Sequence, residues 1–356
     1  MNRFVQLHLL VSYPPSNLNR DDLGRPKTAY MGGHNRLRVS SQSLKRAWRT
    51  SEDFKKALNG HIGTRTKEMG REVYRALTGK GVSEKSAREW AQAIAKPFGK
   101  PKSPSKEQLE KDKLADLDIE QLAHFSPEER AAIDRLADTL AAENRAPAEE
   151  ELHLLTREHS AVDIALFGRM LADAPSYRVE AAAQVAHAIT VHAAEVEDDF
   201  FTAVDDLNTG EEDLGAGHMG ETEFGAGVYY LYLCIDTESL TANLNGDAAL
   251  AARALAALTE AAATVAPTGK QASFASRARA FYVLAEAGAR QPRSLSAAFL
   301  APVQGRRQDM RIEAIAALEK ERADMERAYG GADALQVMDV PGGRGTLQEI
   351  IHFVTR

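Results

Sequence analysis

Cysteine is nearly missing: Cys234 is the only one in 356 residues, so an intrachain disulfide and a cysteine-based zinc cluster are excluded, as befits a reducing compartment. Long apolar runs are missing as well. The N-terminal apolar stretch is broken by Gln6 and His8, and the Ala-rich run at 248–266 carries Arg253 and Glu260. Neither reads as a membrane span or an export signal, so no membrane partner and a cytoplasmic location are expected. There is no nucleophile elbow and no Walker loop, and His153 with His159 and His187 with His192 lack a metal-ligand spacing. No cofactor is expected. Lys and Arg are absent from 179–252, where eleven Asp and Glu crowd into 195–223. What is present is apolar material, 44% of the residues, enough for a substantial core in one large or two medium domains.

The formal net charge of -7 hides a segregation: residues 1–113 hold 24 Lys and Arg against 11 Asp and Glu, and residues 114–356 hold 20 against 40. Such a split suits a basic face for a polyanion with an acidic face elsewhere, and it suits head-to-tail self-association; merely solvated faces are the alternative. The cations concentrate in 17–49, where Arg20, Arg25, Lys27, Arg36, Arg38, Lys45, Arg46 and Arg49 face only Asp21 and Asp22. Gly24, Gly32 and Gly33 among them let a backbone come close to phosphates. A helix is expected to start near Ser40 or Ser41, capped by a hydroxyl, with Gln42, Lys45 and Arg49 on one face and Leu44, Ala47 and Trp48 on the other. Its N-terminus offers N–H donors to an anion, so Ser40 and Gln42 are candidates to position a phosphate that Lys45 neutralises.

Along the chain, Phe4 to Tyr13 reads as a strand closing at Pro14-Pro15, and residues 51–156 read as a polar helical insertion with an exposed loop at KPFGKPKSPSKEQ. SAVDIALFGRM and AAAQVAHAITVHAAEV are ambiguous between strand and helix. Residues 193–224 form an acidic, glycine-containing excursion that reads as a projecting hairpin, with Phe200 and Phe201 on it, closing in a strand at Val228 to Asp236. The C-terminal part alternates a helix, PTGKQASFASRARA, a strand-like SLSAAFLAPV and a second helix, which implies an α+β core. Lys270, Arg277 and Arg279 in that stretch are further nucleic-acid contact candidates, a turn with an edge strand being the plainer reading. PGGRG at 341–345 reads as a turn. Asp21-Asp22, Asp198-Asp199 and Asp205-Asp206 are paired carboxylates of the type that hold Mg²⁺, but neighbours in sequence point apart, and a metal-dependent ribonuclease stands only as the alternative.

FVQLHLLVSYPPSNLNRDD, GRPKTAYMGG and RLRVSSQSLKRAWRTS, with FFTAVDDLN and PTGKQASFASRARA further on, resemble over nearly the whole chain the crRNA-binding backbone subunit family (CasC) of Cascade, the type I-E CRISPR complex. The resemblance implies a modified ferredoxin-like, RNA-recognition-motif-like palm (1–50, 157–192 and 225–356), a helical finger insertion (51–156) and a thumb (193–224), with both ambiguous segments in the palm sheet. It implies a non-catalytic protein whose copies stack head to tail along crRNA. Arg20, Lys27, Ser40, Gln42, Lys45 and Arg49 would hold phosphates without sequence preference. Phe201, Thr202, Val204 and Asn208 of the thumb would kink the strand at regular intervals, and Met170 would pack against bases, ordinary core filling being the other reading for Met170. Exposed bases would pair with complementary target DNA. The implied partners are further copies of the chain, the large, small and end-capping Cascade subunits, and a recruited helicase-nuclease. Tyr30 and His34 depart from the family pattern.

Overall fold

The structure, a computed structural model, describes residues 3–171, 173–203, 218–306 and 308–356. The chain divides into two compact units, one of Met1–Phe54, Gln184–Asp236 and Leu255–Arg356, the other of Lys55–Ala183 and Thr237–Ala254. The second is wider than the insertion expected at 51–156.

The first unit is built on an antiparallel sheet. β1 (Phe4–Ser16) is buried along most of its length, as its nearly unbroken apolar run requires of a central strand. β2 (Thr28–Met31) and β3 (His34–Val39) form a hairpin. Across the sheet the order is Ala334–Asp339, Ala280–Gly288, β1, His218–Asp236, Ala188–Thr190, β3, β2. The first strand runs past Tyr13 to Ser16, where the expectation ended it. Pro14 and Pro15 cannot donate to the ladder, and the register with the neighbouring strand shifts there, from Tyr13↔Gly227 to Ser16↔Gly225. The sheet packs on Leu295, Phe299, Ala314 and Leu318, all fully buried beside Leu10, Tyr282 and Leu284. SLSAAFLAPV, expected as a strand, is instead a helical turn at Ser296–Phe299. Its buried Leu295 and Phe299 are four residues apart, a helical and not an alternating spacing.

The second unit packs the helices Met69–Gly79, Glu84–Ala95 and Pro127–Glu143 around Val73, Leu77, Trp90, Ile94, Phe125, Ile133 and Leu140. Ser83 and Ser126 cap two of them, the latter in a reciprocal box with Glu129. The lysine-rich segment expected as a loop begins with a helical turn at Lys96–Phe98 and ends in the helix Lys106–Lys111. SAVDIALFGRM was expected in the palm sheet, but Val162–Phe167 is a helix of the second unit. Val162 through Leu166 are buried on every side, which a short apolar run satisfies as readily in a helix, and Gly168 at φ +82° ends it with an N–H bond to the Ile164 carbonyl. AAAQVAHAITV does supply strands, Ala183–Val185 and Ala188–Thr190. No helix among the described residues is long and apolar enough to cross a membrane.

Candidate nucleic-acid interface

The basic segment is held open by its own polar side chains. Buried Asn17 donates through Nδ2 to the Gly24 carbonyl (3.0 Å) and the Glu223 carbonyl (2.8 Å). Asp21 Oδ1 accepts from the amides of Leu23 and Arg25, both at 2.9 Å, and Gly24 turns the chain at φ +87°. Asp21 therefore shapes the loop, as one of the two readings held. Lys27 N–H meets the Asn19 carbonyl at 2.8 Å, and Asn19 Oδ1 accepts from Ser40 N–H at 2.8 Å. Asn19 thus joins the loop to the start of α1 (Ser41–Thr50).

Ser40 is the N-cap of α1, its hydroxyl accepting from Ser43 N–H at 3.3 Å. Leu44, Ala47 and Trp48 are buried, as the periodicity required. No acid stands in the first turn, so nothing opposes an anion at the positive end of the helix. Gln42 is exposed there, while Lys45 and Arg49 are half-buried; burial lowers the Lys45 pKa. A polar cavity of about 370 Å³ opens between this loop, α1 and Thr268–Gly269, lined by Asn19, Arg20, Ser43, Arg46, Thr50 and Thr268 among others. Gly269 is required: a Cβ there would lie 2.5 Å from the Leu18 carbonyl oxygen.

Lys270, in the left-handed region at φ +47°, donates to Thr222 Oγ1 at 2.9 Å, and Phe274 lies 5.8 Å from Phe224, ring centre to ring centre. Arg25 pairs with Glu223 at 3.1 Å. Residues 222–224 are therefore the foot of the hairpin and a wall of the basic face together. Arg277 and Arg279 are exposed. The segment is a short helix, Gln271–Phe274, and not the edge strand of the plainer reading.

The acidic excursion is a hairpin as expected: Glu197–Ala203 pairs with the long strand from Glu197↔Phe224 to Ala203↔His218. Phe200 and Phe201 are 61% and 41% exposed, and alternation sends them to opposite faces. Phe201 sits across from Gly220, where a Cβ would come within 2.5 Å of its ring, so the glycine gives the ring its seat. Thr202 is exposed; Val204 and Asn208 lie outside the described residues. In the second unit Met170 is 79% exposed, which excludes core filling. Beside it Arg169 is buried in an ion pair with Glu129, 2.8 Å to each carboxylate oxygen.

One cation of the segment is not surface at all. Arg36 is buried, and its guanidinium donates to the carbonyls of Phe299 (2.7 Å), Thr190 (3.3 Å), Met31 (3.4 Å) and Leu300 (3.4 Å). The expectation that it faces a polyanion is corrected: it clamps the hairpin to the 299–300 turn. Sequence reasoning also left Arg46, Asn19 and residues 222–224 out of the site. Ser43, Arg46, Ala47 and Thr50 share a helical face, a spacing that does mark Arg46; the foot of the hairpin depends on bonds between residues some 200 positions apart and leaves no such mark. Among the described residues no three His, Cys, Asp or Glu gather to hold a metal ion.

Fold and site together define an α+β protein with a basic loop and a polar cavity beside it. The chain belongs to the CT1975-like protein family, whose model matches residues 5–348. It is similar to a chain of a solved "CRISPR RNA-guided surveillance complex, pre-nicking", with 30% identity, a TM-score of 0.83, and 99% of this chain and 100% of that one covered. A chain of a second "CRISPR RNA-guided surveillance complex" matches at 25% identity and a TM-score of 0.73, over 98% and 99% of the two chains. No curated protein matches. The resemblance carried by the N-terminal signature is borne out by these matches.

Proposed function

We propose that the chain is a non-catalytic RNA-binding backbone subunit of Cascade. Several copies stack head to tail along one crRNA and hold its phosphates through Arg20, Lys27, Ser40, Gln42, Lys45 and Arg49, with Lys270, Arg277 and Arg279 as a second binding group. The observation that carries this reading is the convergence of the basic loop, the Ser43, Arg46 and Thr50 face of α1 and the Thr268–Gly269 turn on one polar cavity, on a helix with no acid in its first turn. Phosphate contacts hold any sequence equally, which a variable guide requires. The hairpin with Phe201 and Thr202 is the thumb that kinks the strand, and Met170 contacts bases from the finger side. An aromatic ring suits that task because it stacks on any base. The palm is ferredoxin-like: the antiparallel order Ala280–Gly288, β1, His218–Asp236, then Ala188–Thr190 and β3, supports that reading. Bases left exposed pair with complementary target DNA, and cleavage falls to a recruited helicase-nuclease. The other Cascade subunits, large, small and end-capping, complete the assembly.

The test is coexpression with a CRISPR repeat-spacer RNA, followed by protein-to-RNA stoichiometry and RNA integrity with and without Mg²⁺. Several copies on one intact RNA are expected. Mg²⁺-dependent loss of the RNA that persists at high purity would contradict the reading.

A further inference from the structure

Tyr30 is 75% exposed although it lies within a strand of the main sheet. β2 is the edge strand, and along it Thr28 and Tyr30 are exposed while Ala29 and Met31 are half-buried. Alternation therefore sends the Tyr30 ring off the sheet into solvent. The hairpin that carries it is fixed at several points. Its turn runs through Gly32 and Gly33 at φ +60° and +82°. A Cβ on Gly32 would overlap the Leu300 carbonyl oxygen. Buried Arg36 ties the Met31 carbonyl to the Phe299 carbonyl across the same approach. A ring on so constrained a hairpin loses little freedom when a ligand covers it.

Cations share the hairpin with the ring, on the other face of its strands by the same alternation. Lys27 enters β2 directly, and its carbonyl accepts from Arg38 N–H at 2.7 Å on the partner strand. The Arg38 guanidinium lies 2.8 Å from His187 Nδ1 and 3.2 Å from the Thr28 carbonyl, one residue beyond Lys27. Burial lowers the His187 pKa, with Arg38 and Lys27 acting in the same direction, so the imidazole is neutral and accepts from Arg38. Neither cation is matched with a carboxylate among the described residues, and both keep their charge for a ligand. A fixed, exposed aromatic ring on an edge-strand hairpin that also carries cations is a composition that single-stranded nucleic acid uses: the cations take phosphates and the ring takes a base.

We propose that Tyr30 is a stacking platform for one RNA base, adding affinity without reading which base it is. This rests on the RNA-binding reading above and goes beyond it. The platform belongs to this chain's own hairpin.

The test compares equilibrium binding of a short RNA oligonucleotide with binding of an equal-length strand of abasic ribose phosphates, for the wild type, Tyr30→Ala and Tyr30→Phe. Tyr30→Ala is expected to weaken binding of the base-bearing strand by about 5- to 150-fold and to leave the abasic strand and the salt slope unchanged. Tyr30→Phe is expected to behave as wild type. A Tyr30→Trp variant gives an independent signal, because the two native tryptophans, Trp48 and Trp90, are buried at 0% and 7% exposure. Its emission should change with the base-bearing strand and not with the abasic one. Equal loss on both strands, or none on either, overturns the inference. A fall only in the number of copies on a long RNA, with short-strand affinity kept, would place Tyr30 between copies of the chain and overturn it too. Failure of the wild type to bind either strand would remove the RNA-binding reading itself.

Discussion

Five arginines of the helical unit and the arginines of the basic segment 17–49 differ in the partners they take. In the helical unit Arg71 pairs with Asp118 at 2.5 Å and Asp112 at 2.8 Å, Arg145 with Glu143 at 2.5 Å and Glu151 at 2.7 Å, and Arg130 with Glu72 at 2.7 Å. Arg88 meets Asp116, and Arg169 is buried against Glu129. In the basic segment Arg25 pairs with a carboxylate, Glu223, whereas Arg36 and Arg38 give their donors to carbonyls and an imidazole. Arg20, Lys27 and Arg46 have no ion pair among the described residues. The two sets of cations thus differ in the charge they offer a ligand. Matched cations hold a fold together, and unmatched ones at a cavity rim attract phosphate.

The comparison breaks most visibly in the helical unit. Arg169→Ala strands the buried Glu129 carboxylate and is expected to cost about 3–5 kcal/mol, read by urea unfolding. A loss under about 1 kcal/mol would show that water reaches the pair. Arg36→Ala comes next, at about 3 kcal/mol, because four carbonyls lose one charged donor. Arg20→Ala should leave the midpoint unmoved and weaken RNA binding alone. If Arg36→Ala behaved like Arg20→Ala, the clamp assigned to it would be wrong.

A smaller effect is expected in acid. His8 is fully buried, with Nδ1 2.8 Å from the Tyr230 hydroxyl and Nε2 3.2 Å from Glu286. Burial lowers its pKa despite the carboxylate. The unfolded chain therefore takes up this proton first, and stability, full above the ordinary imidazole pKa near 6.5, falls as pH drops below it. Burial would raise the Glu286 pKa, but bonds from His8 and Arg293 outweigh it and hold it at about 2. Its contribution is intact above the ordinary 4.5 and is lost as pH falls from there toward 2. His8→Gln should make the first limb shallower, leaving the share of His159 and His187, and leave the second; an unchanged profile from about pH 6.5 down to about 5 would show that His8 does not titrate with folding. The smallest effect on the isolated protein is expected of Phe201→Ala, below about 1 kcal/mol, because the ring is partly exposed. Ordered assembly on RNA should fail nonetheless, and a large fall in melting temperature without RNA would make Phe201 a packing residue.

Much of this was legible in the residues. The apolar run of β1, the cap and two faces of α1, and the acidic hairpin all follow from local pattern. Val162–Phe167 and Ser296–Phe299 were not, because a short run buried on every side has the same composition in either conformation. Arg36 was misplaced because a cation among seven others reads as surface, and the carbonyls from 190 and 299–300 reveal that it is interior. Cation counting located the interface but ranked its members equally, and geometry separates them.

The most direct test of the phosphate clamp is the salt dependence of affinity for two RNAs of unrelated sequence, for the wild type and for the triple variant Lys27→Ala, Lys45→Ala, Arg49→Ala. Both RNAs should weaken alike in the variant, and the slope of log K against log salt should flatten by about 0.7 for each phosphate that is no longer neutralised. Weaker binding to one RNA with full affinity for the other would contradict the account.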